Sequence, residues 1–222
     1  MEQTVHFIRP PPPALAPPKR QNAASQPAWQ LCHNGRMESL SLSHHFLIAM
    51  PGMGDPLFAK SLVYLCEHGE HGAMGLIINK PSGIAMAQLF DQIDLPLDDE
   101  DTRTGLVYFG GPVQPDRGFV LHQPAGNWQS SLMVTDDIAL TTSKDVLVAV
   151  SEGKKPEQLL ISLGYAGWSA GQLEKEIADN GWLTVPAEPS IVFDLPYEER
   201  YDAAMALLGF DPSLLSSDVG HA

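Results

Sequence analysis

From Met37 onward the chain is a succession of short apolar runs cut by glycine, proline or polar pairs, several of them only a turn apart. "HFLIAM" (45–50), "SLVYLCE" (61–67) and "GLIIN" (75–79) are rich in Leu, Ile and Val and read as strands. "LVYF" (106–109), "GFVLH" (118–122), "SLMV" (131–134) and "IALTT" (138–142) continue the pattern, and "LLISLGYAG" (159–167) and "SIVFD" (190–194) complete it. Within it, "MVTDDIAL" predicts a hairpin turned at Asp136-Asp137.

Four helices interleave. Residues 85–93 carry Leu89, Phe90 and Ile93 at helical spacing. Residues 143–153 offer Ser143 as N-cap and Gly153 just past the end, and residues 169–181 end on Asn180-Gly181. Residues 196–209 open at Pro196, hold Glu198 and Glu199 in the first turn and stop at Gly209. There Tyr197, Tyr201, Ala204 and Leu208 form the stripe expected to be buried. Strands dominate and do not alternate regularly with helices. That pattern specifies one α+β domain over 37–222, built on a largely antiparallel or mixed sheet with about four peripheral helices. The stretch 94–105, acidic at five of its first eight positions, is expected to be an exposed, mobile loop; cation binding is the sharper alternative.

Residues 1–36 differ in kind. They hold seven of the nineteen prolines and bury too little apolar surface to offset their ordering entropy, so disorder is expected there. Met37 is expected to be the natural start, with the leader added by an upstream start codon; a basic targeting peptide is the alternative. The leader has four basic residues against one acid. The remaining residues hold nine basic and 26 acidic side chains, a net of −17. Such a body repels phosphate backbones, and nucleic-acid affinity rests largely on neutralising them, so no direct nucleic-acid binding is expected. No stretch approaches the roughly 18 consecutive apolar residues of a membrane helix, so no membrane partner is expected. Two cysteines, Cys32 and Cys66, make no disulfide framework, and a cytoplasmic setting fits.

The motif most suggestive of catalysis is Gly167-Trp168-Ser169-Ala170-Gly171, a G-x-S-x-G between a strand and a helix, as in a nucleophile elbow. A triad needs an acid and then a histidine after the serine, and the only downstream histidine is His221, second from the end. Ser169 through Gln172 also spells S-x-x-Q, a capping box, and Ser169 is read as the helix cap. "CEHGEHG" (66–72) places Cys66 and His68 on one strand face by alternation, with His71 beyond them. A structural zinc site wants four ligands, and only His44 and His45 are near in sequence, so a buried Cys66 and a polar strand end are the expected reading. The glycine-rich pieces "MPGMGDP", "FGGPV" and "GYAGW" match no phosphate loop and read as tight turns and close backbone approaches. Lys80, Arg117 and His122 either line an anion pocket or pair with carboxylates. In so acidic a chain, pairing is the expectation.

The runs "HFLIAMPGMGDPLFAKSLVYLCEHGEHGAMGLIINKP", "YFGGPVQPDRGFVLH", "TTSKDVL", "GYAGWSAGQLEKEIADNGWL" and "LLGFDPSLLSSDVGHA", in order from about residue 43 to the end, resemble the YqgE/AlgH family of bacterial proteins. The resemblance implies a single α+β domain whose branched sheet curls into a partial barrel with helices around it. It implies a chain beginning near Met37, and it brings no catalytic set. One member carries the label of a transcriptional regulator of alginate production. On the charge argument, any such regulation runs through a partner rather than through operator DNA.

The expected function is therefore a non-enzymatic regulatory or interaction protein that acts through a protein or small-molecule partner and needs no cofactor or metal. Its candidate groove is lined by Pro51, Met53 and Asp55 from the first glycine-rich turn, and by Cys66 and His68. Asn79, Lys80, Arg117 and His122 complete the set. The alternative is a small-ligand binder or enzyme using that groove, with His68 as base or Cys66 as nucleophile.

Overall fold

The computed structural model describes residues 41–209. The first half runs β1 (His45–Ala49), β2 (Leu62–Gly69), β3 (Gly72–Ile77), β4 (Pro81–Ala85), α1 (Met86–Gln92), α2 (Glu100–Arg103), β5 (Leu106–Phe109) and β6 (Val113–Gln123). The second half runs β7 (Ser131–Met133), β8 (Ala139–Thr141), α3 (Asp145–Ser151), β9 (Gln158–Ser169), α4 (Gln172–Ala178), β10 (Trp182–Pro186), α5 (Pro189–Phe193) and α6 (Tyr197–Ala206).

The twelve-residue β9 is the spine. One edge pairs antiparallel with β6, from Gln123↔Gln158 to Gly118↔Leu163. The other edge branches: its first half pairs parallel with β5 through Val107↔Ile161, and its last residues pair antiparallel with β3 through Gly75↔Ala166 and Gly72↔Ser169. The main path is β10-β1-β2-β3-β9-β6-β8-β7, with β4 on β5, and the sheet curls into a half-barrel. This is the α+β class expected, with one parallel pair in an otherwise antiparallel sheet.

Strand alternation sorts the apolar runs onto two covered faces, which is why they read as continuous rather than alternating. In β1 and β2, Phe46, Ile48, Leu62 and Tyr64 enter the cluster under α5 and α6, whereas Leu47, Ala49, Val63 and Leu65 enter the one that Leu173 of α4 closes. A third cluster packs Leu89, Phe90, Val146 and Leu147 from α1 and α3 on Val107, Val120 and Ile161.

Four local expectations change. "SIVFD" is the helical turn α5, not a strand: Pro189 sets its first turn, and burying Ile191 and Val192 under the sheet outweighs their β propensity. β4 and β10 are additional strands, and among the described residues there are six helical segments rather than four. The acidic stretch is partly ordered: Asp99 caps α2 through the Thr102 amide, Leu97 is buried, and Arg103 donates to the Leu97 carbonyl at 2.8 Å. Neither serine cap forms. Lys144 and Gly171 occupy the N-cap positions of α3 and α4. Ser143 donates to Asp145 at 2.6 Å, and Ser169, still in β9, donates its hydroxyl and its amide to Gln172 Oε1, each at 3.0 Å. The glutamine half of the capping box is therefore present without the serine half. The 131–141 hairpin forms as read, closed by Val134 N–H to the Ile138 carbonyl at 2.9 Å. The leader, Met37 and residues 210–222 lie outside the described residues.

Candidate functional site

Three depressions meet over the Tyr165–Trp168 stretch of β9. The first, about 520 Å³, lies between the β2–β3 turn, with Glu67, His68, Glu70 and His71, and Tyr165, Gly167 and Trp168. The second, about 400 Å³, shares Gly167 and Trp168 and adds Met53, Asp55, Phe58, Glu176, Asp179 and Trp182. The third, about 460 Å³, shares Glu67, Met74 and Tyr165 with the first and contains Arg117, Phe119, Ser130 and Thr142. The first and second share Gly167 and Trp168 and adjoin as one trough; the third adjoins the first at Glu67, Met74 and Tyr165, and Tyr165 packs on the opposite face of β9 from Trp168.

The backbone at this place is held by glycine. Gly111 has φ +150° and Gly164 φ +71°, and each packs directly on the other's strand: a Cβ on Gly111 would collide with the Tyr165 carbonyl, and one on Gly164 with the Gly111 carbonyl. "FGGPV" and "GYAGW" are thus close backbone approaches, as read from the sequence. Between Val113 and Gly118 the β6–β9 register slips and Gln114 adopts φ +50°, a bulge that lifts Gln114 and Arg117 over the third depression.

Carboxylates dominate the walls. Glu176 accepts from both indoles, Trp168 at 2.9 Å and Trp182 at 2.8 Å, and from the Gln172 amide at 2.9 Å. The indoles meet edge to face at 5.9 Å, and Phe58 meets Trp182 at 5.7 Å. His68 has no ring nitrogen to spare. Its Nδ1 accepts the Leu42 N–H at 3.0 Å, which leaves Nε2 as the donor to Glu174 at 3.0 Å. A histidine so engaged ties the segment before β1 to α4.

The sequence-derived residues disperse. Met53 and Asp55 line the second depression, His68 the first and Arg117 the third. Asn79 and Lys80 face a separate hollow of about 360 Å³ beside Tyr197 and Tyr201, and Pro51 is exposed on the loop after β1. Cys66 and His68 do not share a face. A bulge between Leu65 and Glu67 interrupts β2, and Cys66 sinks into the cluster under α5 and α6, where burial pushes its thiol pKa up, with Glu67 adding to the effect. Nucleophilic use of that thiol is opposed at once by access and by ionisation. His122 is fully buried, bonded to the Pro124 carbonyl at 2.9 Å and the Thr141 hydroxyl at 2.8 Å. Among the described residues, no three His, Cys, Asp or Glu side chains gather as metal ligands.

The pairing expected of the cations also fails. Lys80 donates to the carbonyls of Leu57 at 2.7 Å and Ala59 at 2.9 Å, and Arg117 donates only to Gln114 and Thr142 side-chain oxygens, each at 3.1 Å. The signal that exposes Arg117 is the bulge, which sequence periodicity does not report.

The geometry has close counterparts. A model of the AlgH-like family matches residues 46–213. The chain belongs to the AlgH-like family. Two AlgH-like relatives, both UPF0301 proteins, come from Laribacter hongkongensis, 61% identical over 187 residues, and Nitrosospira multiformis, 58% identical over 186 residues; each match spans 84% of this chain and all of the relative. The solution structure of the AlgH protein from Pseudomonas aeruginosa, 54% identical, superposes with a TM-score of 0.69 over 83% of this chain and 97% of its own. The crystal structure of protein DIP2367 from Corynebacterium diphtheriae, 22% identical with a TM-score of 0.60 over 79% and 91%, shares the fold.

In this AlgH-like chain two histidines report on acid sensitivity. Burial holds the pKa of His122 below its ordinary value, and burial, with His45 adding, does the same for His44. Their folded pKa values lie below the unfolded ones, so as pH falls through about 6.5 the unfolded state takes up protons that the folded state refuses. Stability is therefore complete above that value and declines on acidification. The melting temperature is expected to fall between pH 7 and pH 5, and the fall to be shallower in His122→Gln. An unchanged slope in that variant would remove His122 from the account.

Proposed function

We propose that this AlgH-like chain is a non-enzymatic cytoplasmic interaction protein whose trough docks a cationic segment of a partner protein. One observation carries the reading: two adjoining depressions that share Gly167 and Trp168 and are lined by Glu67, Glu70, Asp55, Glu176 and Asp179, in a body of net −17. The half-buried Tyr165 ring offers contact area and cation–π attraction, and the carboxylates steer and select a basic partner while disfavouring acidic ones. Any regulatory effect passes through that partner. The side chains around the trough support binding rather than turnover. His68 has both ring nitrogens occupied, and Ser169 is bonded to Gln172.

The test is fluorescence anisotropy with a labelled octa-arginine peptide at physiological salt, where weak long-range attraction is screened. The double variant Glu70→Gln/Asp179→Asn is expected to weaken binding at least fivefold. The pair Asp98→Asn/Asp101→Asn, which removes the same charge from the α1–α2 stretch, is expected to weaken it less than twofold. Equal losses from both pairs would reduce the effect to net charge and overturn the groove assignment.

A further inference from the structure

Five cations of the described body are held in ways that account for them. Lys80, Lys144, Arg103 and Arg200 each donate to backbone carbonyls, and Lys155 reaches Asp99 at 3.3 Å. Arg117 differs. Among the described residues it has no carboxylate within 4.0 Å and no backbone acceptor; its partners there are the neutral oxygens of Gln114 and Thr142. Among the described residues two of its five donors find partners, and its buried Nε finds none. An unmet donor on a guanidinium costs free energy that a folded protein normally avoids, and a bound anion would recover it.

The surroundings define the anion. The guanidinium lies 5.4 Å above the Phe119 ring, which meets Tyr165 edge to face at 5.4 Å. Leu132, Leu140 and Met74 continue the apolar wall, and Ser130 and Thr142 add hydroxyls beside the charge. The bulge from Val113 to Gly118 aims Arg117 into this space. One arginine offers a planar fork suited to a carboxylate. A dianionic phosphate would need more positive charge than the third depression holds, with Glu67 on its rim.

We propose that the third depression is a binding site for a small monocarboxylate with an apolar or aromatic body, its carboxylate on Arg117 and its body against Phe119 and Tyr165. The site shares Glu67 and Tyr165 with the first depression, but neither Glu70 nor Asp179 lines it, so its test is separate from that of the cationic-segment reading.

The probes are sodium benzoate, its neutral isostere benzamide, and inorganic phosphate, followed in ¹H–¹⁵N spectra of the protein. Benzoate is expected to produce saturable shifts at the amides of Phe119, Leu132 and Tyr165, with a dissociation constant on the order of 1 mM for so small a ligand. Benzamide, and benzoate with Arg117→Gln, are expected to bind at least tenfold more weakly. Comparison of the two probes on the unaltered protein reads the charge requirement without any substitution. Absence of saturable shifts at tens of millimolar, equal affinity for benzamide, or full affinity in a folded Arg117→Gln variant would each overturn the site. Phosphate moving the same amides at equal or lower concentration would overturn the assignment to carboxylates.

Discussion

Arg200→Ala is expected to lower stability by about 3 kcal/mol, the scale of losing charge-assisted bonds in a buried site. For a chain of this size that is about 6–12 °C in melting temperature. Arg200 sits in α6 and is 5% exposed, yet among the described residues it has no carboxylate partner. Its guanidinium donates to the Ile78 carbonyl at 2.5 Å and, through Nε, to the Leu195 carbonyl at 3.0 Å. It also lies 5.0 Å over the Tyr108 ring. Desolvation pulls its pKa down from the usual arginine value, a sign that the site taxes the charge, and these three contacts offset that cost. Alanine would leave a cavity and two carbonyls that the arginine had satisfied. Arg200→Met restores volume but no donor, so it is expected to recover part of the loss and no more. Thermal denaturation of the two variants beside the parent decides the matter: equal stability of Arg200→Ala and the parent would show that α6 is held by its apolar stripe alone.

Gly111→Ala is expected to cost more, about 3–5 kcal/mol, combining a backbone conformation that L residues rarely adopt with overpacking against main-chain atoms. Its φ of +150° strains any side chain, and the obstacle is the Tyr165 peptide rather than a side chain that can turn aside. Relief requires β5 and β9 to part, and with them the Tyr165 wall of the trough. Gly171 provides the internal standard. It too has positive φ, +74°, but a Cβ there meets open space, so Gly171→Ala is expected to cost about 1 kcal/mol from conformation alone. Chemical denaturation should give the two variants midpoints well apart, with Gly111→Ala the lower. Coinciding midpoints would show that the close approach of the two strands can relax.

Much of the fold is legible in the residues. "LVYF" matches β5 residue for residue, and "HFLIAM" and "SLVYLCE" locate β1 and β2, because burial on both faces leaves an unbroken apolar run. Gly153 and Gly209, each with positive φ, close α3 and α6 as their positions suggest. Edge elements are harder to read. β4 begins at Pro81 and contains Gly83, chemistry shared with turns, and its register on β5 is broken between Pro81↔Tyr108 and Ala85↔Leu106. α5 carries a strand-like Ile-Val-Phe, and packing under the sheet decided its form.

The candidate site was less legible. Period-two alternation put Cys66 beside His68, and one bulged residue separated them. Charge counting favoured carboxylate partners for Lys80 and Arg117, but their oxygen partners are the Leu57 and Ala59 carbonyls of the turn before β2, the nearby Gln114, and Thr142 just after β8.

The amino-acid order by itself determined the strand-rich α+β class, the strongly acidic body and the glycine positions at which strands touch, since burial period, charge and φ preference belong to residues and their near neighbours. Only the tertiary structure decided that His122 and Cys66 lie inside while Arg117 lines the third depression with no carboxylate within 4.0 Å among the described residues, and that Arg200 is interior. Those outcomes depend on register, bulges and pairings between residues as far apart as Ile78 and Arg200, which no local pattern encodes.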